Sequence, residues 1–223
     1  MNLEYDVESC SLYDRKTKGG LIPVSRLNQK KFLSTIIDKK YETKEISKYR
    51  KALLQNVVGE ILEVGIGTGA NLAYYPKTVT HITGVDEIVR ELRSQHPKVE
   101  HYYSKFTELP FETNTFDTVV ATFAMSHMSD LELALMEIKR VLKPRGRLIF
   151  LDHGQAVQKS NDFLQNVVDP LWEVTIGGRL NRNYFEELKK LDFLLANEVR
   201  TESSISLKSM IGTLYMGIAV NVK

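Results

Sequence analysis

From Gly59 to His153 the chain alternates short apolar runs with amphipathic stretches of about ten residues, the signature of strands alternating with helices. GEILEVG (59–65) is an apolar run closed by glycines. HITGVD (81–86), Val99–Tyr103, FDTVVATF (116–123) and RLIFLDH (147–153) read as four further strands. Between them the spacing predicts helices opening at Ala70–Tyr75, over Ile88–Gln95 and over Leu131–Leu142, with KPRG (143–146) as the turn into the fifth strand. Upstream, Pro23–Lys40 and Lys44–Asn56 place apolar residues three and four apart, as helices do. Downstream come a predicted helix over Asn161–Trp172, the loop IGGRLNR (176–182) and a helix over Asn183–Leu191. Two late strands follow, near Ala196–Glu202 and Leu214–Val222, with no long helix between them.

That order predicts an α/β fold, with helices on both faces of a mostly parallel, Rossmann-like, seven-stranded sheet. The adjacent last strands predict a hairpin, hence a C-terminal antiparallel strand. The organisation expected is a helical lid segment over 1–58 and the sheet domain over 59–223. At 223 residues such a domain buries roughly 70% of its unfolded surface without staples.

Composition removes several classes of function. Thirty basic residues against 28 acidic ones leave a net charge of +2, a balance that argues for neither nucleic acid nor an acidic surface as an obligatory partner. The single cysteine, Cys10, allows no internal disulfide and favours a reducing, cytoplasmic setting. No apolar stretch of about 18 residues exists, so integral membrane association is not expected. The five histidines are scattered and form no metal-ligand spacing.

The local chemistry concentrates in Glu63-Val64-Gly65-Ile66-Gly67-Thr68-Gly69, where a strand delivers the chain to three alternate glycines. Glycine tolerates positive φ and lets a ligand approach the backbone, and the loop's N–H groups face whatever binds. Asp86, 23 positions after Glu63, ends the next strand, where an acid can accept hydrogen bonds from ribose hydroxyls. Together they specify a nucleoside-containing cofactor. Glu63 repels a pyrophosphate but suits an ammonium group, and the spacing is G-x-G-x-G rather than G-x-G-x-x-G. S-adenosylmethionine is therefore favoured over a nicotinamide dinucleotide.

ILEVGIGTGANLAYYP, GVD, LPFETNTFD and EIKRVLKPRGRLIFLDH resemble the class I methyltransferases of the methyltransferase-11 type. The resemblance covers about 59–153. It implies Gly65, Gly67 and Gly69, with Glu63 and Asn71, around the methionine moiety, and Asp86 on the ribose. It sets Lys105 and Phe106 beside the adenine, and Thr122 and Phe123 next to the reacting centre. Where the family carries an acid for the adenine amine, this chain reads Ser104-Lys105-Phe106; Glu108 is a possible substitute, with a loop-capping role as the plainer reading. A narrower resemblance rests on GTGAN, Asp152-His153, FLQNVVDPLW, GGRLNR and YMGIA. These are similar to the animal methyltransferase-like 7 proteins and their bacterial relatives, implying S-methylation of a small thiol. Their apolar N-terminal anchor is not expected here, and the loop reads Gly-Gly-Arg where they carry Gly-Cys.

Three candidate catalytic residues follow. His127 lies in the loop after the fourth strand. Asp152 and His153 end the fifth, where open α/β sheets bind their ligands. Each could orient the acceptor or take its proton. The competing structural readings are a helix cap for His127 and a structural Asp–His turn for the pair. Asp169, Trp172, Arg179 and Arg182 are candidate pocket walls, and Tyr13 a candidate closure over the cofactor carboxylate. The expected partner is a small-molecule methyl acceptor. An amine or lipid-headgroup N-methyltransferase, a quinone-ring methyltransferase and a non-catalytic cofactor-binding protein are the alternatives.

Overall fold

The chain was analysed as a computed structural model, which describes residues 43–88, 91–94, 97–156, 167, 169–170, 178–202 and 213–223. Cys10, Tyr13, Trp172, the pattern at Pro23–Lys40 and most of Asn161–Trp172 lie outside the described residues. The strands are β1 (Ile61–Val64), β2 (His81–Asp86), β3 (Lys98–Tyr103), β4 (Phe116–Thr122), β5 (Leu142–Gly154), β6 (Phe193–Leu195), β7 (Val199–Glu202) and β8 (Thr213–Asn221). The helices with described bounds are α1 (Lys44–Leu54), α2 (Leu131–Val141) and α3 (Tyr184–Lys190).

All eight strands share one sheet in the order β3-β2-β1-β4-β5-β8-β6, with β7 also on β8. The first five are mutually parallel, and β8 runs antiparallel to β5. Seven strands were expected and eight are found, for a local reason. β6 and β7 occupy the same edge of β8. Leu195 pairs with Ala219 and Val199 with Met216, so four steps on the edge face three on β8. The extra residue is a bulge that splits one row into two short strands.

Period-two alternation sorts the sheet's side chains onto its faces. Leu62, Val64, Val119, Ala121, Leu148 and Phe150 pack with Leu135 and Ile138 of α2 and with Phe185 and Leu188 of α3. Their neighbours Ile61, Val120 and Ile149 turn the other way and pack with Leu54 of α1. Each fully buried aliphatic contributes about 1.5–3 kcal/mol, so both faces are strongly fixed. α1 buries Ile46, Arg50 and Leu54, one stripe at successive turns. Thr43 caps it by accepting from Ile46 N at 3.2 Å, and Asp130 caps α2 by accepting from Leu133 N at 3.0 Å.

Two predicted helices are corrected. The one opening at Ala70–Tyr75 is a short 3-10 turn over Leu72–Tyr74, bounded by the glycine loop and Pro76. In the stretch predicted helical over Ile88–Gln95, residues 91–94 are irregular. Arg93 N donates to Thr68 O at 3.0 Å, so this backbone serves the glycine loop instead of a helical ladder. Among the described residues no helix is long and apolar enough to cross a membrane.

Candidate active site

β1 ends at Val64 and the chain turns at once through Gly65, Gly67 and Gly69, all at positive φ. The turn has no room for another residue type at Gly65. Its φ is +72°, and a Cβ there would lie 2.5 Å from that of Ala124. The side chain of Asp86, at the tip of neighbouring β2, accepts from Gly67 N at 2.8 Å and from Ile88 N at 3.0 Å. The acid predicted for the ribose thus sits on the glycine loop itself.

Behind the loop lies a buried polar cluster. Glu63 points to the α1 face of the sheet, where Asn71 Nδ2 donates to it at 3.0 Å and Tyr75 Oη at 2.8 Å. Asn71 Nδ2 also donates to Thr122 Oγ1 at 2.9 Å. Arg50 reaches in from α1, donating from Nη1 to Asn71 Oδ1 and, at 2.8 Å, to Thr122 Oγ1. Burial pushes the Glu63 carboxyl up to about 7, against the pull of its hydrogen bonds and of the Arg50 charge. A carboxyl and a guanidinium that share Asn71 match an amino-acid moiety, with its ammonium and carboxylate. They do not match a pyrophosphate. The residues therefore fit S-adenosylmethionine: Glu63 would face its ammonium group, Arg50 and Asn71 its carboxylate, and Asp86 its ribose.

Lys105 and Phe106 follow β3. Lys105 is exposed, whereas Phe106 is buried, its ring 3.9 Å from where a Cβ on Gly65 would stand. Glu108 donates its N–H to Lys105 O at 3.1 Å and accepts on its carbonyl from Ser104 Oγ, closing the turn.

The carboxyl ends of β4 and β5 supply the other half of the site. Phe123 adopts φ +52°, a strained setting for a bulky residue, held by its N–H donating to Leu151 O at 2.7 Å. Its ring lies 5.2 Å from the Arg50 guanidinium and 5.2 Å from the ring of His153. It therefore bridges the cofactor residues and the residues after β5. Asp152 is fully buried and accepts from Ser126 N at 3.0 Å and from His153 N at 2.8 Å. Burial pushes its carboxyl up, opposed by those N–H groups and by the charge of His127. Burial also drives His153 down to about 3, which makes it a neutral ring. His127 is half-buried, and Gly178 lies on it so closely that a Cβ there would come within 3.1 Å of the imidazole. Arg179 N donates to Ser126 O at 2.9 Å, while Arg182 donates to the carbonyls of Met125 and Met128. Asp169 accepts from Leu180 N. The Arg179 N–H and the Arg182 guanidinium thus bind the 178–182 segment to the His127 loop, while Asp169 holds Leu180 of the same segment.

Of the residues singled out in the sequence, Glu63, Asn71 and Thr122 form one buried cluster. Gly65, Gly67, Gly69 and Asp86 form the loop above it. Phe123, His127, Asp152 and His153 gather beside them. Tyr13 lies outside the described residues. Arg50 and Tyr75 were missed. Tyr75 was visible only as the Tyr of a Tyr-Pro pair, and Arg50 as one of many charges on a basic helix.

Comparison with known proteins agrees with this geometry. A family described as "Methyltransferase domain" matches residues 62–150. The mitochondrial methyltransferase OMS1 of Saccharomyces cerevisiae is 28% identical over 184 residues, covering 70% of this chain and 38% of that one. Thiol S-methyltransferase TMT1B of Rattus norvegicus is 30% identical over 154 residues, covering 64% and 62%. Matching relatives also carry the names demethylmenaquinone methyltransferase and phosphatidylethanolamine N-methyltransferase. The chain spans less than two thirds of the length of the first curated relatives it matches. In structure it resembles 1,6-didemethyltoxoflavin-N1-methyltransferase of Burkholderia thailandensis, solved with S-adenosylhomocysteine. The TM-score is 0.61 at 15% identity, covering 95% of this chain and 98% of that one. Residues 62–150 match the methyltransferase domain, and the sheet built around them has the fold of the S-adenosylmethionine-dependent methyltransferases.

Proposed function

We propose that the protein methylates a small-molecule acceptor, and that the acceptor atom is the sulfur of a thiol. The observation that carries this reading is the wall beyond Phe123. It offers a half-buried histidine, His127, beside a buried carboxylate, Asp152, and a second histidine, His153, kept neutral by burial. Such a wall can take a proton from a neutral acceptor. The carboxyl of Asp152 is fully buried on two N–H groups, so it is poorly placed to hold a cationic amine. The similarity to thiol S-methyltransferases supports the same choice.

When bound, S-adenosylmethionine supplies a methyl group on a positively charged sulfur, which leaves as a neutral thioether. Arg50, Asn71 and Glu63 would hold its amino-acid end and Asp86 its ribose, beside the ends of β4 and β5. His127 would accept the proton of the acceptor thiol and release it to solvent. Asp152 stabilises the charged imidazole. Charge is consumed in the displacement, so holding the reacting atoms about 3–3.5 Å apart is the larger contribution. We also propose that the first 40 residues close over the site, which predicts slower proteolysis there when S-adenosylhomocysteine is present.

The test is a methyl-transfer panel of thiols, amines, phenols, quinols and lipid extracts with labelled cofactor. Thioether products are expected. Methylated amines or quinols with no thioether would overturn the thiol reading and leave cofactor use intact.

A further inference from the structure

Two consecutive carboxylates leave the tip of β2 and serve different loops. Asp86 turns to the glycine loop, accepting from Gly67 N. Glu87 turns the other way, to the turn after β3, where its Oε1 accepts from Phe106 N at 3.1 Å. The same turn lacks a side-chain acid at Ser104-Lys105-Phe106. Ser104 spends its hydroxyl proton inside the turn on Glu108 O, and Glu108 N is bound to Lys105 O. Glu108 is exposed, and no described contact brings its carboxylate to Phe106 N.

We propose that Glu87 is the residue that reads the adenine of the cofactor, accepting a hydrogen bond from its exocyclic amine while Phe106 N donates to the neighbouring ring nitrogen. This rests on the cofactor reading and on adenine lying at the Lys105-Phe106 turn. The physical case is complementarity. Adenine carries a donor amine and an acceptor nitrogen side by side on one edge. Glu87 Oε1 and Phe106 N are an acceptor and a donor side by side, and they are bonded to each other at 3.1 Å. Binding exchanges that one bond for two, so the pair is held in place before the base arrives. A 6-oxo purine reverses both groups and sets a carbonyl oxygen against the carboxylate. The site would then reject it through an unpaired and repelled polar group. A bond that merely braces two turns makes no such distinction between bases.

The experiment measures binding by calorimetry for S-adenosylhomocysteine and its inosine counterpart, on the full chain, the Glu87→Ala and Glu87→Gln variants, and Glu108→Ala. Amide spectra follow Phe106. The unsubstituted protein is expected to prefer the adenine ligand by at least about tenfold, the scale of one charge-assisted hydrogen bond. Glu87→Ala should remove most of that preference by weakening the adenine ligand alone. Glu87→Gln, which keeps a carbonyl acceptor, should fall between, and Glu108→Ala should match the unsubstituted protein. The Phe106 amide should shift on ligand addition. An amide that does not respond places the base elsewhere, and the proposal fails with that placement. If the amide responds but Glu87→Ala weakens both ligands equally, weakens neither or tightens the adenine ligand, Glu87 is a brace or a mask and the proposal fails alone. A preference lost in Glu108→Ala would also overturn it.

Discussion

Arg50 Nη1 donates to Thr122 Oγ1 at 2.8 Å across 72 residues of sequence, joining a helix that precedes the sheet to the end of its fourth strand. The contact makes α1 part of the buried polar cluster behind the glycine loop, where we propose that the cofactor's amino-acid end is held. Arg50→Met is expected to weaken S-adenosylhomocysteine binding at least tenfold by calorimetry, the scale of a lost charge-assisted hydrogen bond. It should also lower the melting temperature, because Asn71 and Glu63 lose a buried partner. Unchanged affinity would separate α1 from the site.

Glu63 links cofactor binding to pH. Its carboxyl is raised to about 7 in the folded protein, above the unfolded value of 4.5, so the fold holds a proton the unfolded chain has released. Stability from this group is full below about 4.5 and is lost as pH rises through about 7. A cationic cofactor favours the ionised form. Its affinity should therefore climb between pH 5.5 and about 7, with proton release measured in buffers of different ionisation enthalpy. Glu63→Gln should remove both effects.

His127 and His153 should part in kinetics. Burial holds His153 at about 3, so it stays neutral through the working range. His127→Gln is expected to lower kcat by about 10²–10⁴-fold, the usual range for a general base, and to change the pH profile of kcat/KM. His153→Gln should leave the profile's shape intact and act through packing. Equal, pH-independent losses in both would remove the base assignment.

The loop geometry makes a sharper demand. Gly65→Ala adds a Cβ at φ +72°, 2.5 Å from that of Ala124. The loop must then shift, so cofactor binding should be lost in calorimetry while circular dichroism retains the α/β signature. Normal affinity in this variant would mean that the loop adapts freely.

What the sequence makes legible here is what neighbours in sequence dictate. β1, β2, β4 and β5 are apolar runs with glycine or polar ends, and the glycine loop with Asp86 lies within two consecutive strands. Helix patterning failed where tertiary hydrogen bonds compete with it. Arg93 N is taken by Thr68 O, and the 72–74 turn is bounded by Gly69 and Pro76. Arg50 was hidden because nothing near it in sequence marks one arginine of a basic helix as buried. The contact of Glu87 with Phe106 N was hidden for the same reason. Which acid reaches the β3 turn depends on how β2 and β3 align, with Asp86 opposite Tyr103.

The bulge between β6 and β7 bears on how copies of this molecule behave in crowded solution. An edge row of backbone donors and acceptors is a template on which another chain can add a strand. Here the row breaks after Leu195 and resumes at Val199 with its register displaced by one residue. Among the described residues, an incoming strand would meet three residues, then four, in mismatched phase. Deleting a single residue from the break would merge them into one ladder and present a continuous adhesive border, turning a local irregularity into a colloidal liability.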